Sequence, residues 1–398
     1  MRALVLDAEG RTADVQDIRL PVPASHEIFV RVEAISLNPI DSLYVAHPLA
    51  SSGRTIGSDF SGTVAAVGSQ VPSTEIVYGD RVAGFLQGAC SVNDRPGAFA
   101  EYLVVPWDLV WRVPDSLTIE EAAGVSLVAL TAAQGVWYRL GPDAPFAYVT
   151  NSVKQEHPHD RLDAQPDTIN FLVYGASTSV GLYTAQLARL SARPSGRAIK
   201  LFGVASKARW SLLKAEPYNY DYLVDYRDSD WHEQIWALSA GEGMHYVYDA
   251  ISEGDTVRRN SSTLAPNGRM AIVRSREGGA WIASNMSIEP IYGAVWEGLG
   301  EEVQYQGFTV QKSPAARNFA VQFYRWLSTA VGSELKPVSI RLMPGGLNRV
   351  VDDGLELLGA GIMEERRLTR EEVWMRPVSA EKLVYRIQDS LNVSESTA

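Results

Sequence analysis

Cysteine is almost absent from this chain: among its 398 residues there is one, Cys90. A single cysteine excludes an intrachain disulfide, a Cys-x-x-Cys redox pair and a zinc site built on thiolates. Long apolar runs are missing as well, since none reaches the roughly 18 residues of a membrane-spanning helix. The N-terminal apolar run is broken by Asp7. We therefore expect a cytoplasmic protein without a signal peptide and without a membrane partner.

Positive charge is also scarce, because 36 Lys and Arg residues face 47 Asp and Glu residues and the net charge is −11. Such a surface repels the phosphate backbone of nucleic acids, which excludes them as expected partners. The hydrophobic fraction of 46% is typical of a globular protein. At roughly 150 residues per domain, the length predicts two or three domains.

Two kinds of pattern divide the chain. Residues 1 to about 115 are short β-type runs separated by Pro and Gly, and a helical segment begins near Thr118, which forms a T-x-x-E capping box with Glu121. A polar stretch over 142–168 is predicted to be an exposed insertion, and apolar and helical segments alternate after it. This alternation predicts an α/β fold with a doubly wound parallel sheet. The predicted domains are 1–127 with 303–398, completed by the terminal strand KLVYRI, and 128–302.

A glycine-rich turn over 173–181 (VYGASTSVG) follows the first buried strand of that sheet. Gly175 allows a tight turn and Gly181 allows a helix to pack closely on the strand, so backbone N–H groups at the helix start can hold a pyrophosphate. Thr178 and Ser179 replace the middle glycine of the usual fingerprint, and their hydroxyls can donate to phosphate oxygens. A purely structural turn is the alternative, but the place at the head of the alternating units favours a dinucleotide.

The end of the second predicted strand indicates which dinucleotide binds. An acidic residue there would bind the ribose 2′-OH of NAD, whereas cations accommodate the 2′-phosphate of NADP. The strand LFGVAS ends at Ser206 and continues with Lys207, Ala208 and Arg209, and no carboxylate is within reach by sequence. Cations are disfavoured near a helix start unless they serve another purpose. The sequence therefore favours NADP(H).

Seven segments of the sequence occur in an order shared with one known family. The segments are LNPID (37–41), GSDFSGTVAAVG (57–68), YGDRVAGF (78–85), GAFAEYLVVP (97–106), VYGASTSVG (173–181), LVDYR (223–227) and SAEKLVYRI (379–387). Together they resemble the zinc-free quinone oxidoreductase and enoyl reductase branch of the medium-chain dehydrogenase/reductases. Three motifs within them, VYGASTS, DYR and EKLVYR, most resemble the trans-acting enoyl reductases of fungal polyketide biosynthesis. The resemblance implies a GroES-like β-rich catalytic domain and a Rossmann NADP-binding domain.

The zinc-dependent alcohol dehydrogenases of the same superfamily are the alternative within this fold. They carry Cys where this chain has Asn38, His where it has Ser58, and a lobe with four Cys residues. None of these is present, so no metal is expected. His157 and His159 form a superficial metal pair without a third ligand nearby.

The resemblance also implies roles for residues of this sequence. Thr131 is expected to line the acyl pocket, and Ser42 and Thr131 are the candidate catalytic residues. The implied cofactor-binding residues are Ile40, Asp41, Ser42, Leu43, Ser177, Thr178, Ser179, Val180, Ser206, Lys207, Ala208, Arg209, Tyr226, Val273, Arg274, Val378 and Ser379. The implied substrate-binding residues are Val128, Ala129, Leu130, Thr131, Ala132, Ala133, Gln134, Gly135, Ile288, Glu289, Pro290, Ile291 and Tyr292.

The implied function is NADPH-dependent reduction of α,β-unsaturated polyketide thioesters, carried by a polyketide synthase alone or with a peptide synthetase module. The enzyme would be a monomer or a homodimer. The family commonly has Lys where this chain has Leu43, and the stretches 142–168 and 361–377 are longer than in simpler relatives. These departures leave three alternatives open: a redox-neutral isomerase or cyclase, a reductase of free enones or quinones, and a non-catalytic partner of the synthase. The proton donor is also open among Ser42, Tyr44 and water.

Overall fold

A computed structural model describes residues 1–93, 95–149, 167–284, 286, 288–305, 307–363 and 370–388. They form two compact units. The first unit comprises Met1–Leu127, Glu301–Lys312 and the described residues after 323, and the second comprises the described residues of 128–300 and Ser313–Phe323.

The strands of the described chain are numbered in order. They are β1 (Arg2–Asp7), β2 (Thr12–Asp17), β3 (Glu27–Ser36), β4 (Asp59–Val67), β5 (Arg81–Phe85), β6 (Tyr102–Pro106), β7 (Val110–Arg112), β8 (Thr168–Tyr174), β9 (Ala198–Val204), β10 (Tyr222–Val224), β11 (Met244–Asp249), β12 (Leu264–Ile272), β13 (Ile291–Tyr292), β14 (Val303–Tyr305), β15 (Phe308–Val310), β16 (Ile340–Met343) and β17 (Lys382–Arg386).

The α-helices are numbered in the same way. They are α1 (Pro39–Ala46), α2 (Ile119–Ala123), α3 (Ser126–Ala133), α4 (Ser179–Leu190), α5 (Ala192–Ser195), α6 (Trp210–Lys214), α7 (Trp231–Leu238), α8 (Thr256–Ser261), α9 (Pro314–Ala330) and α10 (Glu356–Leu358). Single π-helical segments continue α3 over Gln134–Leu140 and precede α10 over Val350–Leu355. Short 3-10 turns lie at Trp107–Leu109, Lys207–Arg209, Val295–Leu299, Gly346–Arg349 and Val373–Met375.

The first unit is built on a mixed sheet in the order β16-β17-β3-β4-β5-β7, with β6 paired to β3. Its central strand β3 buries Ile28, Val30 and Val32 in alternation, as expected for a strand with one face on the core. The C-terminal strand β17 pairs antiparallel with β3, from Val384 opposite Ser36. This pairing confirms that the chain end returns to complete the β-rich half.

The second unit contains the predicted parallel sheet, in the order β10-β9-β8-β11-β12-β13. Leu172, Phe202, Val247 and Met270 form part of its buried core, which explains why these strands are apolar runs. The chain moves to one side of β8 with β9 and to the other with β11. In such sheets, ligands bind beyond the carboxyl ends of the strands near this point of reversal.

The division into units differs from the predicted domains at two places. The boundary after Leu127 coincides with the predicted one, but Glu301 and Glu302 belong to the first unit, and Ser313–Phe323 belongs to the second unit and not to the first. The reason is aromatic packing, since the ring centroid of Phe323 lies 6.4 Å from that of Trp137 and the ring centroid of Phe319 lies 5.7 Å from that of Phe146.

In the described ranges, no helix combines the length and the apolar character that crossing a bilayer requires.

Candidate cofactor site and buried polar cluster

The glycine-rich turn lies where β8 passes into α4. Gly175 has a φ of +75°, a backbone conformation that glycine adopts without steric cost. A Cβ atom on Gly181 would lie 2.3 Å from the carbonyl oxygen of Gly175, so the helix can approach the turn only without a side chain there. Both glycine roles expected from the sequence are therefore confirmed. The first N–H groups of a helix have no partner within the helix, so the start of α4 suits a pyrophosphate.

Thr178 shapes this turn through its own side chain. Its hydroxyl donates to the carbonyl oxygen of Gly175 at 2.8 Å and accepts the N–H of Gly181 at 3.0 Å. The single hydroxyl proton is thus used within the turn, which corrects the expectation that it donates to a phosphate. Ser177 and Ser179 are half-buried beside it, as is Val180. A phosphate would be held by backbone N–H groups and by these two serines.

The loop after β9 carries the predicted 2′-phosphate residues. Lys207–Arg209 form a single 3-10 turn that leads into α6. Lys207 and Ala208 are exposed, and Ser206 and Arg209 are half-buried. The indole N–H of Trp210 donates to the carbonyl oxygen of Ala205 at 3.1 Å, which anchors the turn to the end of the strand. The structure therefore places both cations at the carboxyl edge of the sheet.

A carboxylate that sequence reasoning missed lies against this loop. Asp225 directly follows β10, and its carboxylate accepts the backbone N–H of Lys207 at 3.2 Å and that of Arg227 at 3.0 Å. Burial raises the pKa of Asp225, but these hydrogen bonds and the Arg227 guanidinium lower it more, so its pKa lies below the usual value. The expectation that no carboxylate lies within reach of the Lys207 loop is therefore wrong. The signal for it was an acidic residue directly after the neighbouring parallel strand.

The loops after β11 and β12 are built on buried polar contacts. The carboxylate of Asp249, the last residue of β11, accepts the N–H of Ser252 at 2.7 Å, and the hydroxyl of Ser252 accepts the N–H of Val273 at 3.1 Å. Arg274 forms an ion pair of 2.6 Å with Glu253. Val273 and Arg274, both expected at the cofactor, thus lie in the loop after β12 and are held by contacts to the loop after β11.

Most of the predicted acyl-pocket segment is core. Residues 128–130 and 132–135 are buried, and only Thr131 is half-buried among 128–135. The carbonyl oxygen of Thr131 accepts the hydroxyl of Tyr248 at 3.1 Å. Most side chains of the segment are apolar, which is typical of a buried helix. Thr131 is the residue of this segment whose side chain still suits a pocket.

The second predicted pocket wall lies at the sheet edge. Ile291 and Tyr292 form β13 beside β12, and Ile288 and Tyr292 pack on the core of the sheet. Pro290 is buried, whereas Glu289 is exposed and forms an ion pair of 2.6 Å with Arg276.

A buried polar cluster occupies the first unit, around the start of α1. The hydroxyl of Ser58 lies 2.6 Å from a carboxylate oxygen of Asp41, whose second oxygen accepts the backbone N–H of Asn38 at 2.7 Å. The side-chain amide of Asn38 donates to Asp59 at 2.9 Å, and the ammonium of Lys382 lies 3.3 Å from the same carboxylate. All five residues are buried.

Burial shifts the pKa values of this cluster toward neutral forms. It raises the pKa of Asp41 to about 7, against the lowering effect of the Ser58 hydrogen bond. It also raises the pKa of Asp59 and lowers that of Lys382, although the ion pair between the two opposes both shifts. In the described part of the chain, no group of three or more His, Cys, Asp or Glu residues is placed to hold a metal ion, and His157 and His159 lie outside that part.

The hydroxyl of Ser42, a residue of α1, forms hydrogen bonds with two backbone carbonyl oxygens. Its hydroxyl lies 2.7 Å from the carbonyl oxygen of Gly359 and 3.1 Å from that of Leu355, and the residue is buried. Both neighbours are acceptors, so the hydroxyl proton is already used, and the geometry does not support the predicted catalytic role. The neighbouring Ile40 and Leu43 are half-buried.

Asp353, six residues before Gly359, accepts hydrogen bonds from Arg370 and Trp374. This buried carboxylate accepts from Arg370 at 2.8 Å and from the indole N–H of Trp374 at 3.1 Å. The guanidinium of Arg341 donates to the carbonyl oxygen of Trp374 at 2.8 Å and holds the chain that leads to Val378 and Ser379, both half-buried. Asp353 and Arg341 thus hold Arg370 and Trp374 in place.

Comparison with known proteins gives a consistent result. Residues 24–115 match the alcohol dehydrogenase GroES-like domain. The trans-enoyl reductase resD of Aspergillus sclerotiorum is 35% identical over 261 residues, which cover 65% of this chain and 69% of that protein. The trans-enoyl reductase traG of Penicillium crustosum is 26% identical over 92% of this chain and 95% of that protein.

Solved structures agree on the fold. The crystal structure of CurK enoyl reductase matches with a TM-score of 0.67 at 18% identity, over 97% of this chain and 98% of that one. The GroES-like domain and the parallel sheet of the second unit agree with that fold. The chain therefore belongs to the trans-enoyl reductases, a family of oxidoreductases, and has the medium-chain dehydrogenase/reductase fold.

Proposed function

We propose that the protein is an NADPH-dependent enoyl reductase that acts in trans on α,β-unsaturated thioesters carried by a polyketide synthase. The observation that carries the choice of cofactor is the pair of cations, Lys207 and Arg209, at the carboxyl edge of the sheet beside the glycine-rich turn. The family relationship supports the substrate class, because its curated members are trans-enoyl reductases.

The tasks of the chain follow from this proposal. When bound, the reduced nicotinamide supplies a hydride that adds to the β-carbon of the thioester. The turn from Ser177 to Val180 would hold the pyrophosphate, and Lys207 and Arg209 would hold the 2′-phosphate. Negative charge develops on the thioester oxygen and is stabilised by donors aimed at it, before a proton reaches the α-carbon. Thr131 is the proposed contact on the acyl side, since its side chain is half-buried where its neighbours are core.

Cofactor preference is tested by reversing one charge. Lys207→Glu should remove the preference for NADPH over NADH, with a loss of about 1.5–3 kcal/mol for a charged hydrogen bond. Lys214→Glu is the matched control, because this lysine lies on the next helix with its ammonium 5.8 Å from the Trp210 ring. Binding titrations with both cofactors provide the measurement. Equal affinities for NADPH and NADH in the parent protein would contradict the proposal.

Turnover is tested with an enoyl thioester and NADPH, followed by the absorbance of the reduced nicotinamide. The proposal expects one reduced cofactor to be consumed for each saturated thioester formed. A redox-neutral isomerase or cyclase is the second candidate, and the neutral, half-buried Leu43 favours it. Product formation with unchanged cofactor absorbance would establish that second candidate.

A further inference from the structure

We infer that Arg227 is a specificity-determining residue for the adenosine 2′-phosphate, held in place by Asp225. The inference rests on the proposed NADPH dependence and adds a cation to it. Lys207 and Arg209 come from the loop after β9, whereas Arg227 comes from the loop after β10. Their proximity is a product of the sheet and is not visible as a local motif.

Sheet register brings the two loops together. β9 and β10 are parallel, with Val204 opposite Val224, so the residues after each strand emerge at the same edge. The backbone N–H of Lys207 donates to Asp225 at 3.2 Å, which joins the loops by a hydrogen bond. The cations of both loops therefore face a common space beyond the sheet edge.

Asp225 holds both the backbone and the guanidinium of Arg227 by hydrogen bonds. Its carboxylate accepts the backbone N–H of Arg227 at 3.0 Å and a guanidinium N–H at 3.3 Å. The side chain of Asp225 is 7% exposed, whereas that of Arg227 is 58% exposed. A buried anion thus orients a guanidinium that remains accessible to a ligand.

Tyr226 fixes the plane of that guanidinium. The central carbon of the Arg227 guanidinium lies 4.4 Å from the centroid of the Tyr226 ring, within the range of a cation–π contact. Arginine presents five N–H donors in a rigid fork that matches the oxygens of a phosphate. With the fork stacked and clamped, less rotamer entropy is lost when a phosphate binds.

Charge balance explains why another cation is needed here. The ammonium of Lys207 lies 3.9 Å from the carboxylate of Asp228, and Asp225 adds a second negative charge to the same pair of loops. Lys207 and Arg209 are therefore opposed by these two carboxylates, and Asp230 of the same loop adds a third. Arg227 brings the two loops to three cations and three carboxylates, so it supplies the charge that restores their balance.

The experiment measures binding of 2′,5′-ADP and 5′-AMP by calorimetry to the full chain, so that no turnover is involved. Arg227→Gln should weaken 2′,5′-ADP about tenfold or more, which corresponds to about 1.4 kcal/mol, and leave 5′-AMP within about twofold. Arg227→Lys should recover part of the loss, because it restores the charge without the stacked fork. Arg258→Gln is the control, since this exposed arginine forms its ion pair with Asp255 on α8.

The outcomes separate this inference from the proposed function. If the parent protein prefers 2′,5′-ADP and Lys207→Glu removes the preference but Arg227→Gln does not, the inference fails and NADPH dependence stands. Equal losses for both ligands in Arg227→Gln would mean a general structural role and would also overturn it. If the parent shows no preference, the proposed cofactor choice itself fails.

Discussion

The ion pair between Lys382 and Asp59 offers the sharpest test of what stabilises the first unit. Lys382→Met removes an ammonium that donates to the carbonyl oxygen of Leu37 at 2.8 Å and to the side-chain oxygen of Asn38 at 2.6 Å, and that lies 3.3 Å from Asp59. The Asp59 side chain is fully buried, so the substitution leaves an uncompensated charge inside the protein. Removing one partner of such a pair costs about 3–5 kcal/mol.

This cost converts into a measurable temperature shift. For a unit of this size, each kcal/mol lowers Tm by about 2–4 °C, so we expect a decrease of about 6–20 °C in thermal unfolding followed by circular dichroism. The loss should be larger at about pH 8 than at about pH 5. Without Lys382, the raised pKa of Asp59 rises further, and protonation at the lower pH removes the buried charge. Lys336→Met, at an exposed lysine, is the control and should leave Tm nearly unchanged.

A double variant completes the test. In Asp59→Asn with Lys382→Met the unpaired charge at position 59 is removed, and the side-chain amide of Asn38 can turn so that its oxygen accepts from the new amide. The Leu127 N–H, which donates to Asp59 at 2.9 Å, keeps its acceptor. The double variant should therefore be more stable than Lys382→Met alone. A loss below about 1 kcal/mol that is equal at both pH values, or additive losses in the double variant, would refute the reasoning.

Three further predictions concern single residues. The folded state keeps the proton of Asp41 up to about pH 7 while the unfolded chain releases it near 3.8, so this group makes the free energy of unfolding fall as pH rises between those values. Urea titrations should show Asp41→Asn losing this slope of about 1.4 kcal/mol per pH unit relative to the parent, and parallel pH profiles would contradict the assignment. Thr131→Trp should abolish thioester reduction while NADPH affinity stays within about 0.5 kcal/mol, and loss of NADPH binding would show that the acyl contact is misplaced. Leu43→Lys should raise turnover of an enoyl thioester, since a donor aimed at developing charge contributes about 2.7–4 kcal/mol, and unchanged turnover would favour redox-neutral chemistry.

Local patterns were sufficient to predict the parallel sheet and its glycine turn. Buried strands are apolar runs and the turn needs glycine at fixed places, so Gly175 and Gly181 carry their information in the sequence itself. Asp225 was missed because its relation to Lys207 arises only when two strands pair in parallel. The distance along the chain between Asp59 and Lys382, 323 positions, hides their ion pair in the same way.

The hydroxyls were the least predictable part of the site. Thr178 and Ser42 both looked like donors to a ligand, yet each hydroxyl is used by a backbone carbonyl of the protein. Residue type tells which groups can donate, but only the positions of the surrounding carbonyl oxygens tell which protons are already engaged. The segment around Thr131 is helical as predicted, whereas its place at the acyl pocket stays a prediction, because an apolar helix suits a core as well as a pocket.

The contacts of Gly359 and Arg370, which flank residues 360–369 in the sequence, bear on how sequences of this family can vary in length. Gly359 is held by Ser42 on one side, and Arg370 is held by Asp353 on the other. Because Gly359 and Arg370 are both held by side chains of the first unit, we expect changes of length between these two positions to leave α1 and the cluster at Asp41 in place. Exchanging this segment between relatives should accordingly be a practical way to build chimeric enzymes.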